Sequence, residues 1–248
     1  MSHITTKKCS LDIRAIKSER LFTRINEKAN DIGMQVNSEK TQMLCIHSCV
    51  NNNVKSHIKY GNEKISSTEG LKILGFTFDT KPNANKHVEL LIQRFYSKLW
   101  SLRFLKKSGL EPDKMLEIYN STIRSAVEYC GNVYHSMITQ NLSNRLESIQ
   151  QQALRIIYGY TTDVDEVMAA KGIETLAKRR ESSILRFALK NEHTSKYGKR
   201  WFKETEETNM TVRNTTRMKY KIPIARTERM NENPLIAMTR ALNKYYSK

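Results

Sequence analysis

Apolar residues change their spacing as the chain proceeds. Between residues 11 and 32, Leu11, Ile13, Ile16, Leu21, Ile25, Ala29 and Ile32 recur mostly at steps of three and four, which predicts an amphipathic helix ending at Gly33. In "MQVNSEKTQMLCIH", Met34 and Val36 alternate before a turn and the apolar run Met43 to Ile46 follows, so strand, turn and strand are expected. "HIKYGNEKI" places Gly61-Asn62 between Ile58/Tyr60 and Ile65, a tight hairpin signal. "LKILGFTFD" reads as a strand of Leu71, Ile73, Phe76 and Phe78, where Gly75 predicts a bulge or the close approach of another backbone.

After Pro82 the period becomes helical and stays so. Val88, Ile92, Phe95, Leu99 and Leu102 form one stripe, with Arg94, Lys98, Arg103, Lys106 and Lys107 lying off it. Pro112 opens a second helix whose predicted buried face is Met115, Tyr119, Ile123, Ala126, Cys130 and Val133. A third carries Leu142, Leu146, Ile149, Ala153 and Ile156; short connections make the three an antiparallel bundle. Thr162 with Asp165 predicts a capping box for a short helix ending at Gly172, and "GIETLAKRRESSILRFALK" supplies a longer helix. Beyond Asn191 the pattern decays into a basic tail, docked or partly disordered, that ends in a short amphipathic helix of Leu235, Met238 and Leu242. The expected fold class is α+β, mainly α: a small antiparallel β-sheet, a helical bundle and a basic C-terminal extension. The expected divisions are 1–80, 81–160, 161–195 and 196–248.

Charge narrows the function. The chain carries 42 Lys and Arg against 25 Asp and Glu, a net charge of +17, for which a polyanionic partner is the economical explanation. The excess is +5 over residues 86–107, +7 over 178–203 and +7 over 213–248, against +4 over the first 80 residues, so it belongs to the helical and C-terminal parts. Cys9, Cys45, Cys49 and Cys130 are too irregularly spaced for a disulfide framework, which predicts a reducing, intracellular setting, nucleus or cytoplasm being left open. No apolar run is long enough for a membrane span, and no membrane partner is expected.

Seven blocks in this order, "GMQVNSEKTQML", "LKILGFTFDT", "HVELLIQRFYSKLWSLRFLKKSGL", "IYNSTIRSAVEYCGNVYHSM", "LESIQQQALRIIYG", "GIETLAKRRE" and "IPIARTERMNENPL", resemble the C-terminal half of a jockey-like reverse transcriptase of the non-long-terminal-repeat retrotransposons. The resemblance runs from about residue 11 to the end. It implies that the first 80 residues are the last part of a polymerase palm and residues 86 to 158 its thumb. Lys40 would end an N-x-x-K-T turn beside the nucleotide site, either as the general acid that protonates the pyrophosphate leaving oxygen or as a phosphate contact that transfers no proton. "KILGF", hence Leu74, Gly75 and Phe76, resembles the primer grip, an ordinary bulged strand being the alternative. Arg94, Lys98, Arg103, Lys106 and Lys107 would contact phosphates and fix position without reading sequence. Of the adjacent pair Arg179 and Arg180, which cannot share a helix face, Arg180 is expected to be the internal partner and Arg179 the phosphate contact.

Nucleotide addition in that family needs Mg2+ held by carboxylates on an Asp-Asp turn. No two aspartates are adjacent here; the nearest approach, Asp163-Val164-Asp165, falls at the wrong place in the order. The expectation is therefore a truncated RNA-directed DNA polymerase, inactive alone and without a metal cofactor of its own, that keeps a thumb for the backbone of RNA or an RNA/DNA hybrid and has the missing polymerase half as a possible partner. The alternative is a structural or protein-interaction module. "CIHSC" sets Cys45, His47 and Cys49 at alternating positions, but four residues of extended chain separate the sulfurs by about 13 Å, too far for one tetrahedral zinc, so a strand edge with small thiols is favoured. Trp100 and Trp201 are expected to be packing residues rather than base-stacking platforms.

Overall fold

The computed structural model describes residues 2–37, 39–46, 57–60, 63–81, 83–193, 198–205 and 218–247. The chain is α+β and mainly α, and it divides into two compact units, Met1–Pro82 and Asn83–Lys248.

The first unit begins with α1 (Ser2–Asp31), followed by Gly33 at φ +73°, which a left-handed helix end requires. The alternation at Met34 and Val36 produces no strand. Instead Asn37 organises a turn, its Oδ1 accepting the Lys40 amide at 3.0 Å and its carbonyl accepting the Thr41 hydroxyl at 2.7 Å. The turn leads into β1 (Met43–Leu44), shorter than the apolar run suggested. β2 (His57–Tyr60) and β3 (Glu63–Thr68) pair antiparallel with Ile58 opposite Ile65 and Tyr60 opposite Glu63; the Gly61-Asn62 turn lies outside the described residues. β1 runs parallel to β3, so this three-stranded sheet, in the order β1-β3-β2, is mixed rather than antiparallel. Glu19 of α1 accepts the Lys59 amide at 2.9 Å and holds the helix to β2. β4 (Gly70–Ile73) and β5 (Phe76–Asp79) form a separate hairpin with Ile73 opposite Phe76.

That register corrects the reading of Gly75. Leu74 and Gly75 are the two residues of a tight turn, at φ +48° and +86°, and two consecutive positive φ values are what a hairpin joining twisted strands demands. Gly75 is a turn residue, not an interruption within a strand.

The second unit is helical. α2 (Asn85–Lys107) packs along α6 (Gln140–Tyr158), and α3 (Pro112–Ile118) lies against both. The predicted stripe of α2 is buried throughout, as are Met115, Leu146, Ile149 and Ala153. The second predicted helix is not continuous. After α3 the chain widens into a π-helical turn, Tyr119–Arg124, before α4 (Ser125–Glu128). A π turn takes up an extra residue, so the buried positions run Met115, Tyr119, Ile123 and Val127 at steps of four; Val127 takes the place expected of Ala126, which is exposed. Cys130, in the left-handed region at φ +60°, then breaks the helix ahead of α5 (Gly131–Tyr134) and a 3-10 turn, His135–Met137, and Tyr134 is buried where Cys130 and Val133 were expected.

α7 (Val164–Ala170) is capped by Asp163, whose carboxylate accepts the Asp165 amide at 2.8 Å; Thr162 donates backwards to the Tyr158 carbonyl and is not the cap. α8 (Leu176–Glu192) starts on Thr175, with two of its first amides held by Glu147. α9 (Gly198–Trp201), α10 (Glu228–Asn231) and α11 (Pro234–Tyr246) follow. Residues 218–247 are docked: Tyr220, Met238 and Leu242 share a buried cluster with Ile184 and Ala188 of α8 and with Phe202. Glu192 clamps that junction, accepting from the Tyr220 hydroxyl, from Lys219 Nζ at 3.0 Å and from the Tyr246 hydroxyl at 2.9 Å.

Candidate nucleic-acid interface

α2 sorts its residues by face. One side is buried. On the other, Tyr96, Trp100 and Phe104 follow one another at four-residue steps, a little over one helical turn, and are 45%, 67% and 57% exposed. The Trp100 and Phe104 rings stack, their centroids 5.8 Å apart and their planes 18° from parallel. Arg103 and Lys107 border this aromatic stripe on one side and Arg94 stands beyond it on the other, all exposed. Exposed aromatic rings in a row are a feature of interaction surfaces. Aromatic faces set among cations are what successive bases and their phosphates require.

The five α2 cations predicted to contact phosphate do not share one role. Lys98 Nζ donates to the Thr122 carbonyl inside the π turn, at 2.9 Å, and so braces α2 against the widened helix. Lys106 Nζ donates to the Ile157 carbonyl in the last turn of α6, at 3.3 Å, where a cation also suits the helix dipole. Arg94, Arg103 and Lys107 are left for a ligand. Arg94 also acts locally: burial, and then the charge of Arg94, lowers the pKa of His87 to about 4, so this buried imidazole is neutral at pH 7.

The remaining candidates lie elsewhere. Lys40 is exposed in the Asn37 turn, and its ammonium has no ion-pair partner among the described residues. Leu74 is 86% exposed at the hairpin tip, while Phe76 is buried, its ring 4.8 Å from that of Phe78; Phe76 is a core residue and presents nothing to a ligand. Arg179 is committed as well. Its Nε and Nη2 hold both oxygens of Glu128, the second at 3.0 Å, in a bidentate pair that Arg124 joins at 3.6 Å. Arg180 is internal as expected, 2% exposed, donating through Nη2 to Ser143 Oγ at 2.8 Å and lying 6.0 Å from the Tyr134 ring centroid. The assignment of Arg179 to phosphate is therefore corrected, because a carboxylate already fills its fork.

Sequence reasoning missed the aromatic stripe and read Trp100 as a packing residue rather than a base-stacking platform, whereas it is 67% exposed. The signal was present in the four-residue spacing of Tyr96, Trp100 and Phe104, out of phase with the stripe that ends at Leu102. Of the "CIHSC" group, Cys45 is half-buried, and His47 and Cys49 lie outside the described residues. Among the described residues no three His, Cys, Asp or Glu side chains gather as a metal ion would need. No helix among them is long and apolar enough to cross a membrane. Comparison of the chain with protein-family models, with curated proteins and with solved structures finds no match.

Proposed function

We propose that the helical unit is a nucleic-acid-binding hand of the kind found in the thumb of jockey-like reverse transcriptases, and that it holds RNA or an RNA/DNA hybrid along α2. One observation carries this reading: Tyr96, Trp100 and Phe104 exposed in a row with Arg94, Arg103 and Lys107 around them. Phosphates meet the cations and unstacked bases meet the rings. The seven sequence blocks, in order, support the same reading. With no adjacent aspartates, the chain serves as a binding element and does not itself join nucleotides. Lys40 then meets a leaving pyrophosphate only where another polypeptide supplies the metal-binding carboxylates.

The test has two arms. Fluorescence anisotropy with a labelled RNA/DNA hybrid that carries a single-stranded RNA overhang should show binding that weakens in a Trp100→Ala, Arg103→Ala variant; unchanged affinity would sink the assignment of the face. Primer extension with Mg2+ or Mn2+ should give no template-dependent product, and incorporation above a heat-killed control would overturn the second part.

A second reading has its own support. In the first unit Ile16, Leu21, Ile25, Ile32 and Ile46 are each about half or more exposed, which suits a protein partner such as the rest of a polymerase. Binding curves across salt separate the two, since protein recognition predicts a nearly flat dependence.

A further inference from the structure

A cavity of about 80 Å³ opens beside α8, and its wall is more cationic than its carboxylates can balance. Two carboxylates line it, and both are occupied. Glu128 is held by Arg179 and Arg124, and Glu174 is held by Lys178 at 3.0 Å. Arg180 and Arg186 line the same cavity and neither has a carboxylate partner among the described residues. Arg180 is the decisive residue. It is 2% exposed, yet of its guanidinium only Nη2 has a hydrogen-bond partner, the Ser143 hydroxyl; Nε and Nη1 have none. A guanidinium is charged at any pH a protein survives, and burying one without a counter-charge is costly.

Size and chemistry then limit the ligand. The cavity has room for several water molecules, so a single oxyanion fits. Ser182 and Ser183 add hydroxyl donors to the wall, and Gly131 adds no side chain. A tetrahedral anion with several acceptors suits guanidinium forks and hydroxyls together.

We infer that this cavity binds one phosphate group, with Arg180 in its wall and Arg186 and the serine hydroxyls as the accessible contacts. The group comes either from inorganic phosphate or from the terminal phosphate of a nucleic-acid strand. The site is separate from the α2 face and does not depend on it.

The full chain is titrated with inorganic phosphate against sodium chloride of equal ionic strength, by calorimetry and by Tm. Saturable heat with a rise in Tm is expected with phosphate and not with chloride. Arg186→Ala should weaken phosphate at least fivefold while leaving Tm without phosphate unchanged, since Arg186 is exposed; Ser183→Ala should act in the same direction. No saturable binding, or binding that Arg186→Ala and Ser183→Ala leave intact, overturns the site. Paired strands with a 5′-phosphate or a 5′-hydroxyl identify the source: a preference lost in Arg186→Ala assigns the strand end, and equal affinity with saturable inorganic phosphate assigns the free ion. Trp100→Ala should weaken strand binding by the α2 face yet leave the inorganic phosphate isotherm in place, so the two proposals fail separately.

Discussion

Trp100 keeps two thirds of its surface in water beside an equally uncovered Phe104, and little in the fold needs it there. Truncation to alanine should therefore leave Tm within about 1 °C and still weaken nucleic-acid affinity by about fivefold or more, the loss of one stacked base at roughly 1–3 kcal/mol. His87 behaves in the opposite way, mattering for stability and not for contact. Its folded pKa, about 4, lies below the unfolded value, so the unfolded chain binds the extra proton between pH 6.5 and 4. Stability is full above that window and falls as pH drops through it, by up to about 3 kcal/mol. His135, also lowered by burial and by Arg180, works in the same sense. Chemical denaturation from pH 7 to 4 should show this slope, and His87→Gln should flatten it. Gly198 is a residue of a third kind: a Cβ there would stand 1.8 Å from the Asn191 carbonyl oxygen and 2.9 Å from that of Glu192. Both obstacles are backbone and cannot rotate away, so Gly198→Ala should cost about 2 kcal/mol, read as a lower denaturation midpoint.

At the scale of elements, α2 separates bracing cations from binding ones. Replacing Arg94, Arg103 and Lys107 by glutamine should reduce the log-log salt slope of duplex binding by about 0.9 per phosphate contact removed. Replacing Lys98 by methionine should instead lower stability, because the Thr122 carbonyl loses its donor. A Lys98 variant that changes the slope and not the midpoint would contradict this division. α8 and the C-terminal segment meet at Glu192. Burial opposes ionisation there, yet the bonds from Tyr220, Lys219 and Tyr246 hold its carboxyl below the usual range, and they hold Lys219 above its own despite burial. A depressed carboxyl stabilises above its unfolded pKa and ceases to do so as pH falls through its folded one. Glu192→Gln should therefore cost about 2 kcal/mol at pH 7 and speed hydrogen exchange across residues 218–247 before it affects α2 and α6.

For the molecule as a whole, surplus positive charge and uncovered apolar area pull in different directions. Net charge of +17 favours dispersion and attraction to polyanions. The exposed isoleucines and leucine of α1, together with Leu74, favour association through the first unit. Raising salt screens the first and not the second. Sedimentation should accordingly show self-association that grows between 0.1 and 0.5 M salt, whereas a monomer at high concentration in both conditions would mean that the apolar stripe needs no cover.

Helices were legible because their signal is local. The stripes of α2 and α6 bury as spaced, Ile58 and Ile65 face each other across the hairpin, and Leu242 reaches a core, since period and turn chemistry act over a few residues. The cationic character was equally plain, being a matter of counting. Tertiary structure decided what required a partner distant in sequence: the π turn that moved burial from Ala126 to Val127, the parallel pairing of β1, the Glu128 that claimed Arg179, and the carbonyls that took Lys98 and Lys106. A lysine carries the same charge whether it meets solvent, a carbonyl or a phosphate. Only packing, by bringing residues 24 to 51 positions apart within hydrogen-bond reach, distinguishes the three.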